Sequence, residues 1–106
     1  MITVSLCMIV KNEEKILARC LDSVADLVDE IIIVDTGSVD DTKRIGAQYT
    51  DKIYDFTWIG DFSAARNFAF SKAEMEYIYS ADADEVLDEK NRWAFRQLKE
   101  TLLPEI

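Results

Sequence analysis

Two carboxylates one residue apart, Asp82 and Asp84 in the run SADADE, are the side chains of this sequence best spaced to act together. An Asp-x-Asp pair at a strand end can aim both groups at one hard cation. Mg²⁺ or Mn²⁺ held by one or two carboxylates keeps positions open for phosphate oxygens. The cation would also let a diphosphate approach a site whose own charge would repel it. The same triplet can be a solvated acidic turn ahead of a helix. Asp35 closes the apolar run EIIIVD. An ionised carboxylate only accepts hydrogen bonds, which suits a base or a ribose, or it can simply face the next helix N-terminus. Arg66 can pair with phosphate or stack on a base, or pair with Asp61 on a helix surface. Lys11, Asn12 and Glu13 follow another apolar run and can be ligand groups or a turn and cap. The chain has no His, which removes Ser-His-Asp and Cys-His catalysis and His-ligated zinc. Chemistry is left to carboxylates, cations, backbone groups and a hard metal.

The elements that must position these groups alternate in period. Residues 2–10 (ITVSLCMIV) read as a strand covered on both faces. A helix follows, opened by Asn12 as N-cap with Glu13 and Glu14 in its first turn, and Ile16, Leu17, Cys20, Leu21, Val24, Leu27 and Val28 at helical spacing. Glu30–Asp35 is a second buried strand and residues 36–38 a turn. Ser38 and Asp41 resemble a capping box for a short helix over residues 39–49. Residues 52–56 form a third strand. Asp61 caps a helix to about Lys72, with Phe62, Ala65, Ala69 and Ala73 along one side. Residues 77–81 form a fourth strand. A last helix covers residues 89–103 with Trp93, Phe95, Leu98 and Leu102 as its apolar positions, and Pro104 lies beyond its end. The aromatics Phe56, Trp58 and Phe62 read as core. The order βαβαβαβα implies a parallel α/β sheet with right-handed crossovers. In such a sheet ligands sit at the carboxyl ends of the strands, and the polar groups singled out above all fall there.

Composition narrows the function classes. The chain of 106 residues carries 12 Lys plus Arg against 21 Asp plus Glu, a net charge of −9. That excess argues against nucleic acid or an anionic membrane as partner. No apolar run is long enough to span a membrane, and the first residues do not read as a secretory signal. Cys7 and Cys20 read as buried thiols of a cytoplasmic protein.

Taken in series, residues 4–14 (VSLCMIVKNEE), 31–42 (IIIVDTGSVDDT), 61–67 (DFSAARN) and 80–85 (SADADE) resemble the family 2 glycosyltransferases of GT-A fold, in the family's order and spacing. The closest likeness is to the bacterial branch with a Lys-Asn-Glu-Glu segment after the first strand. The resemblance implies a Rossmann-like parallel sheet of strand order 3-2-1-4, the N-terminal half of a GT-A fold. It implies a glycosyltransferase with a nucleotide-diphospho-sugar donor, often a UDP-sugar, and a divalent metal. Val10, Lys11, Asn12 and Glu13 match the stretch that lines the nucleotide pocket; many members carry an aromatic where this chain has Lys11. Asp35 matches the aspartate at the base, Arg66 the basic residue near base and phosphates, Asp82 the first acid of the Asp-x-Asp motif, and Asp84 its metal-ligating last acid.

A complete catalytic domain of this family is longer. Its second half supplies the acceptor pocket and, in inverting members, the general base, and nothing after Glu85 matches these. Residues 1–106 are therefore expected to be one donor-binding half-domain, not active alone. The acceptor, whether saccharide, lipid or protein, is left open. The uncovered fourth strand is expected to favour a homodimer. Two other readings compete. One is a non-catalytic nucleotide-binding or interaction module. The other is a phospho-acceptor signalling domain, which would need acids after the first strand, an Asp after the third and a Lys after a later one.

Overall fold

A computed structural model describes residues 1–102. Its elements are β1 (Val4–Val10), α1 (Leu17–Val24), β2 (Glu30–Asp35), α2 (Thr42–Gly46), β3 (Ile53–Asp55), α3 (Phe62–Lys72), β4 (Tyr77–Ser80) and α4 (Glu89–Thr101), with a turn of 3₁₀ helix (Ala25–Leu27) following α1. The four strands form one parallel sheet in the order β3-β2-β1-β4, which is the expected topology. Parallel pairing puts every carboxyl end on one edge. Val10 lies opposite Asp35, and Asp35 opposite Asp55. β4 stops earlier, with Ser80 opposite Cys7, so the segment carrying Asp82 and Asp84 leaves the sheet there.

Strand residues alternate between two cores because successive side chains point to opposite faces. Leu6, Met8, Val10, Ile31 and Ile33 pack with Leu17, Cys20, Leu21 and Val24 of α1. Cys7, Ile32 and Val34 pack with Ala69 of α3, bordered by Tyr54, Phe56 and Phe68. Both faces of β1 and β2 are thereby covered, and this is why they read as unbroken apolar runs. At Gly46 a Cβ atom would lie 2.9 Å from Cδ1 of Ile33, so a larger residue there would have to displace the tip of that side chain. The thiols of Cys7 and Cys20 are buried and free. Burial pushes each up to about 11, so neither is a ready nucleophile at neutral pH.

Several boundaries differ from expectation. β1 begins at Val4, β3 spans Ile53–Asp55 and β4 ends at Ser80. Helix α1 starts at Leu17, and its N-cap position is Ile16. Asn12 is not a cap: its φ of 55° is left-handed, and no helix can run through it. Glu13 and Glu14 therefore precede the helix. The expected helix over residues 39–49 shrinks to Thr42–Gly46 without a side-chain cap. The backbone N–H of Val39 donates to Oδ1 of Asn12 at 2.8 Å and that of Asp41 to Glu14 at 3.1 Å. With those donors engaged by another loop, the helix begins late. Ser38 accepts from the N–H of Asn12 at 2.8 Å instead of capping.

The last helix also turns a different face inward. Trp93 and Leu98 are exposed, as is Leu102 just beyond the helix. The residues that anchor α4 are Arg92, Phe95 and Lys99, at helical spacing. Arg92 forks onto Asp26 at 2.9 and 2.7 Å and donates to the carbonyl of Ser23 at 2.7 Å. Phe95 meets Tyr79 edge-on, with centroids 5.3 Å apart. Lys99 is buried and donates to the carbonyl of Leu27 at 2.9 Å and to Asp29 at 2.8 Å. The expected end of this helix, Leu103, and Pro104 after it lie outside the described residues. Among the described residues no helix is long and apolar enough to cross a membrane.

Candidate functional site

The carboxyl edge of the sheet is built from three loops. The loop after β2 is shaped by Asp35. One carboxylate oxygen, Oδ1, accepts the N–H groups of Gly37 at 2.9 Å and Ser38 at 2.8 Å. Gly37 supplies the φ of 118° that this tight turn needs. The other oxygen, Oδ2, is buried and among the described residues has no hydrogen-bond partner. Leaving a buried acceptor unpaired costs about 1–3 kcal/mol. Asp35 itself is only 2% exposed, so this is a strongly acceptor-biased point at the end of a central strand.

The loop after β1 is bolted to the loop after β2. Beyond the bonds of Asn12 to Ser38 and Val39, the N–H of Glu13 donates to Oγ1 of Thr42 at 2.8 Å and that of Glu14 to Asp40 at 3.3 Å. Asp40 in turn accepts from the N–H of Thr42 at 2.9 Å and from its hydroxyl. Its pKa is lowered, first by the Thr42 hydroxyl. Val10 anchors the same junction, its carbonyl accepting from the N–H of Thr36 at 3.0 Å. The side-chain oxygen of Asn12 is thus engaged inside the protein, holding the two loops in register.

Two open clefts lie side by side along this edge. One, of about 290 Å³, is bordered by Asp35, Gly37, Ser38, Lys43 and Phe56. The other, of about 250 Å³, is bordered by Val10, Lys11, Glu13 and Phe62. Thr36 and Trp58 border both. Lys43 sits 2.8 Å from Asp55; that hydrogen bond, with the charges of Asp55 and Asp35, raises its pKa. Arg66 is exposed on α3 with its guanidinium 4.8 Å from the ring centroid of Phe62, not paired with Asp61. Asp61 is the true cap of α3, accepting from Ser63 at 2.9 Å and Ala64 at 3.3 Å.

Asp82 and Asp84 follow β4 at the same edge, outside the lining of those two clefts. Both are exposed, and Ala83 between them is 5% exposed. The buried alanine pins the loop to the core while its neighbours face solvent. The N–H of Asp82 donates to Glu85 at 3.0 Å, and its carbonyl meets Sγ of Cys20 at 3.7 Å. Among the described residues no group of three or more His, Cys, Asp or Glu side chains is arranged to hold a metal ion. Two open carboxylates fit a hard cation that takes its other ligands from water and phosphate. They do not fit a closed protein cage.

The site thus gathers Val10, Lys11, Glu13 and Asp35 around adjoining clefts, brings Arg66 to the rim through Phe62, and sets Asp82 and Asp84 on a separate loop. The residue misread from sequence is Trp58. It is 46% exposed, as Phe62 is 45% exposed, although both were expected in the core. Their place in and after a strand-end loop on the ligand edge was the signal available.

Comparison with known proteins identifies the family and the fold. The model of the family "Glycosyl transferase family 2" matches residues 5–97. A TPR repeat-containing protein of Synechococcus elongatus is 51% identical over 87 residues, which is 82% of this chain and 22% of that protein. The SPbeta prophage-derived glycosyltransferase SunS of Bacillus subtilis is 40% identical over 92 residues, 85% of this chain and 22% of SunS. The chain therefore spans less than a quarter of either relative. Among solved structures, S. aureus TarS superposes with a TM-score of 0.75 at 27% identity, over 92% of this chain and 32% of that one, and TarS has also been solved in complex with UDP. The glucosyl-3-phosphoglycerate synthase of Mycobacterium tuberculosis, solved with Mn²⁺ and UDP-glucose, shares the fold at a TM-score of 0.69 and 22% identity, over 80% of this chain and 34% of that one.

Proposed function

The chain belongs to glycosyl transferase family 2, and from that premise we propose that it is the donor-binding half of a metal-dependent glycosyltransferase whose donor is a UDP-sugar. The observation that carries the reading is the unpartnered, buried Oδ2 of Asp35. Asp35 borders one of the two clefts, and once the turn around this covered oxygen yields, an imide N–H such as that of uracil, or the N1–H of guanine, supplies the donor it lacks, whereas the acceptor ring nitrogens of cytosine and adenine do not. The adjoining cleft at Val10, Lys11 and Glu13 takes the rest of the nucleoside, with Asn12 holding the loop that forms its wall. The complexes of TarS with UDP and of the mycobacterial synthase with Mn²⁺ and UDP-glucose support the donor class and the metal.

Asp84 would hold the metal, and Asp82 would serve metal and ribose. A bound Mg²⁺ or Mn²⁺ supplies positive charge to the diphosphate. Arg66 adds charge at the rim, where the departing nucleoside diphosphate gains negative charge. An acceptor hydroxyl attacks the anomeric carbon and loses its proton to a base. The base and the acceptor pocket are proposed to lie outside these 106 residues, so this chain alone binds donor without transferring sugar. The reading includes a cytoplasmic location and a homodimer. Calorimetric titration with UDP, CDP, GDP and ADP in the presence of Mn²⁺ tests it: UDP is expected to bind most tightly, and equal affinity for all four bases would remove the role given to Asp35.

A further inference from the structure

We propose that Trp58 is the stacking platform for the nucleobase, a role that rests on the nucleotide-binding reading above and adds to it a residue that selects for a flat, aromatic ligand. A base held at its edge by Oδ2 of Asp35 leaves its two faces to be covered. Three aromatics border the clefts, and two are already engaged. Phe56 packs against Phe68 with centroids 5.1 Å apart. Phe62 carries the guanidinium of Arg66 over its ring. Among the described residues Trp58 pairs with no ring and no cation, and the residue is 46% exposed. It is also the aromatic that borders both clefts, so it stands between the Asp35 side and the Val10 side.

The loop that carries it is short and held at both ends. Phe56 donates its N–H to the carbonyl of Asp35 at 2.8 Å, which ties the strand end two residues before Trp58 to the carboxylate's own backbone. Gly60, with a φ of 77°, turns the chain into the Asp61 cap of α3. An indole on a tethered loop, bordering the cleft that Asp35 also lines, offers a base a face to lie on. Aromatic stacking of a base is tolerant of sequence, so Trp58 contributes affinity while Asp35 chooses the base.

The chain has two Trp residues, Trp58 and Trp93, and Trp93 lies on α4 away from these clefts. In the full chain carrying Trp93→Phe, the emission of Trp58 is expected to be quenched saturably by UDP with Mn²⁺. Trp58→Leu should weaken UDP binding by about tenfold, with Trp58→Phe close to the parent. If the parent binds UDP calorimetrically while the Trp93→Phe protein shows no quenching and Trp58→Leu binds as tightly, Trp58 is not the platform and the donor-binding reading stands. If the parent binds no nucleoside diphosphate, that reading fails and the role of Trp58 falls with it. Because the fluorescence arm keeps Trp58 in place, it decides even if Trp58→Leu does not fold.

Discussion

In the proposed site, Asp35 would serve fold and ligand through different oxygens. Oδ1 closes the turn by accepting from Gly37 and Ser38, while Oδ2 is left without a partner. Asp35→Asn separates the two tasks. The amide oxygen can keep both turn bonds, but its NH₂ then occupies the place of the free acceptor and faces the imide N–H of the base. The expected result is a loss of UDP affinity of about tenfold or more, roughly 1.4 kcal/mol, with thermal stability retained in the same preparation. Asp84→Asn tests the proposed metal at the other end of the donor. It should also cost about 1.4 kcal/mol or more of UDP affinity in Mn²⁺, and titrations with and without EDTA should then nearly coincide. Both effects are read by calorimetry alongside a melting curve.

At the scale of elements, charged side chains fasten pieces that apolar packing alone would leave loose. Desolvation works to raise the pKa of Asp29, but the bond from Lys99, the N–H of Val4 and the charge of Lys99 outweigh it, and the net shift is downward. Glu30 follows the same balance. Burial pushes it up, and Lys52, the hydroxyl of Ser5 at 2.6 Å and the N–H of Glu74 at 2.9 Å bring it below the ordinary range. A carboxylate whose folded pKa is depressed adds stability above its unfolded pKa, and that stability is lost as pH falls through the folded value. Melting temperature is therefore expected to hold from neutral pH to about 5 and to fall below about 4. Asp29→Asn should be less stable at neutral pH and lose less on acidification. Much of this architecture is legible in the residues. The runs of β1 and β2, the Asp61 cap and the strand order follow from apolar pattern, capping chemistry and family likeness. The late starts of α1 and α2 are not, because they depend on bonds between loops far apart in sequence, such as Asn12 to Val39. The face of α4 is misjudged for a related reason: pattern ranks Trp93 and Leu98 as inward, whereas Arg92 and Lys99 find partners on Asp26 and Asp29 that only the fold brings near. Trp58 escapes because an indole is read as core unless its loop is known to open onto a cleft.

For the molecule as a whole, the acidic ligand edge and the apolar opposite corner set its partners. A net charge of −9 opposes the approach of an anionic donor, which the proposed cation would offset. The corner where β4 meets α4 is apolar: Ile78, Leu98 and Leu102 are exposed there, around a cleft of about 170 Å³ that includes Ile2, Tyr79 and Phe95. Phe95 covers Tyr79, but Trp93 and Leu98 do not close over the strand, so α4 caps this edge only in part. Edge strands and apolar patches of this kind recruit neighbours. Sedimentation across a concentration series is expected to show self-association, most simply a two-fold dimer, and Leu98→Glu should shift it to monomer. A strict monomer at high micromolar concentration would mean that the partial cap suffices.

The decisive measurement is a calorimetric titration of UDP into the chain, made once with Mn²⁺ and once with EDTA. Saturable binding with Mn²⁺ that disappears with EDTA is the predicted result, since in the proposed site a cation would bridge the diphosphate to Asp82 and Asp84. Binding of equal strength in both titrations, or none in either, would contradict a metal-dependent donor site at the carboxyl edge of this sheet.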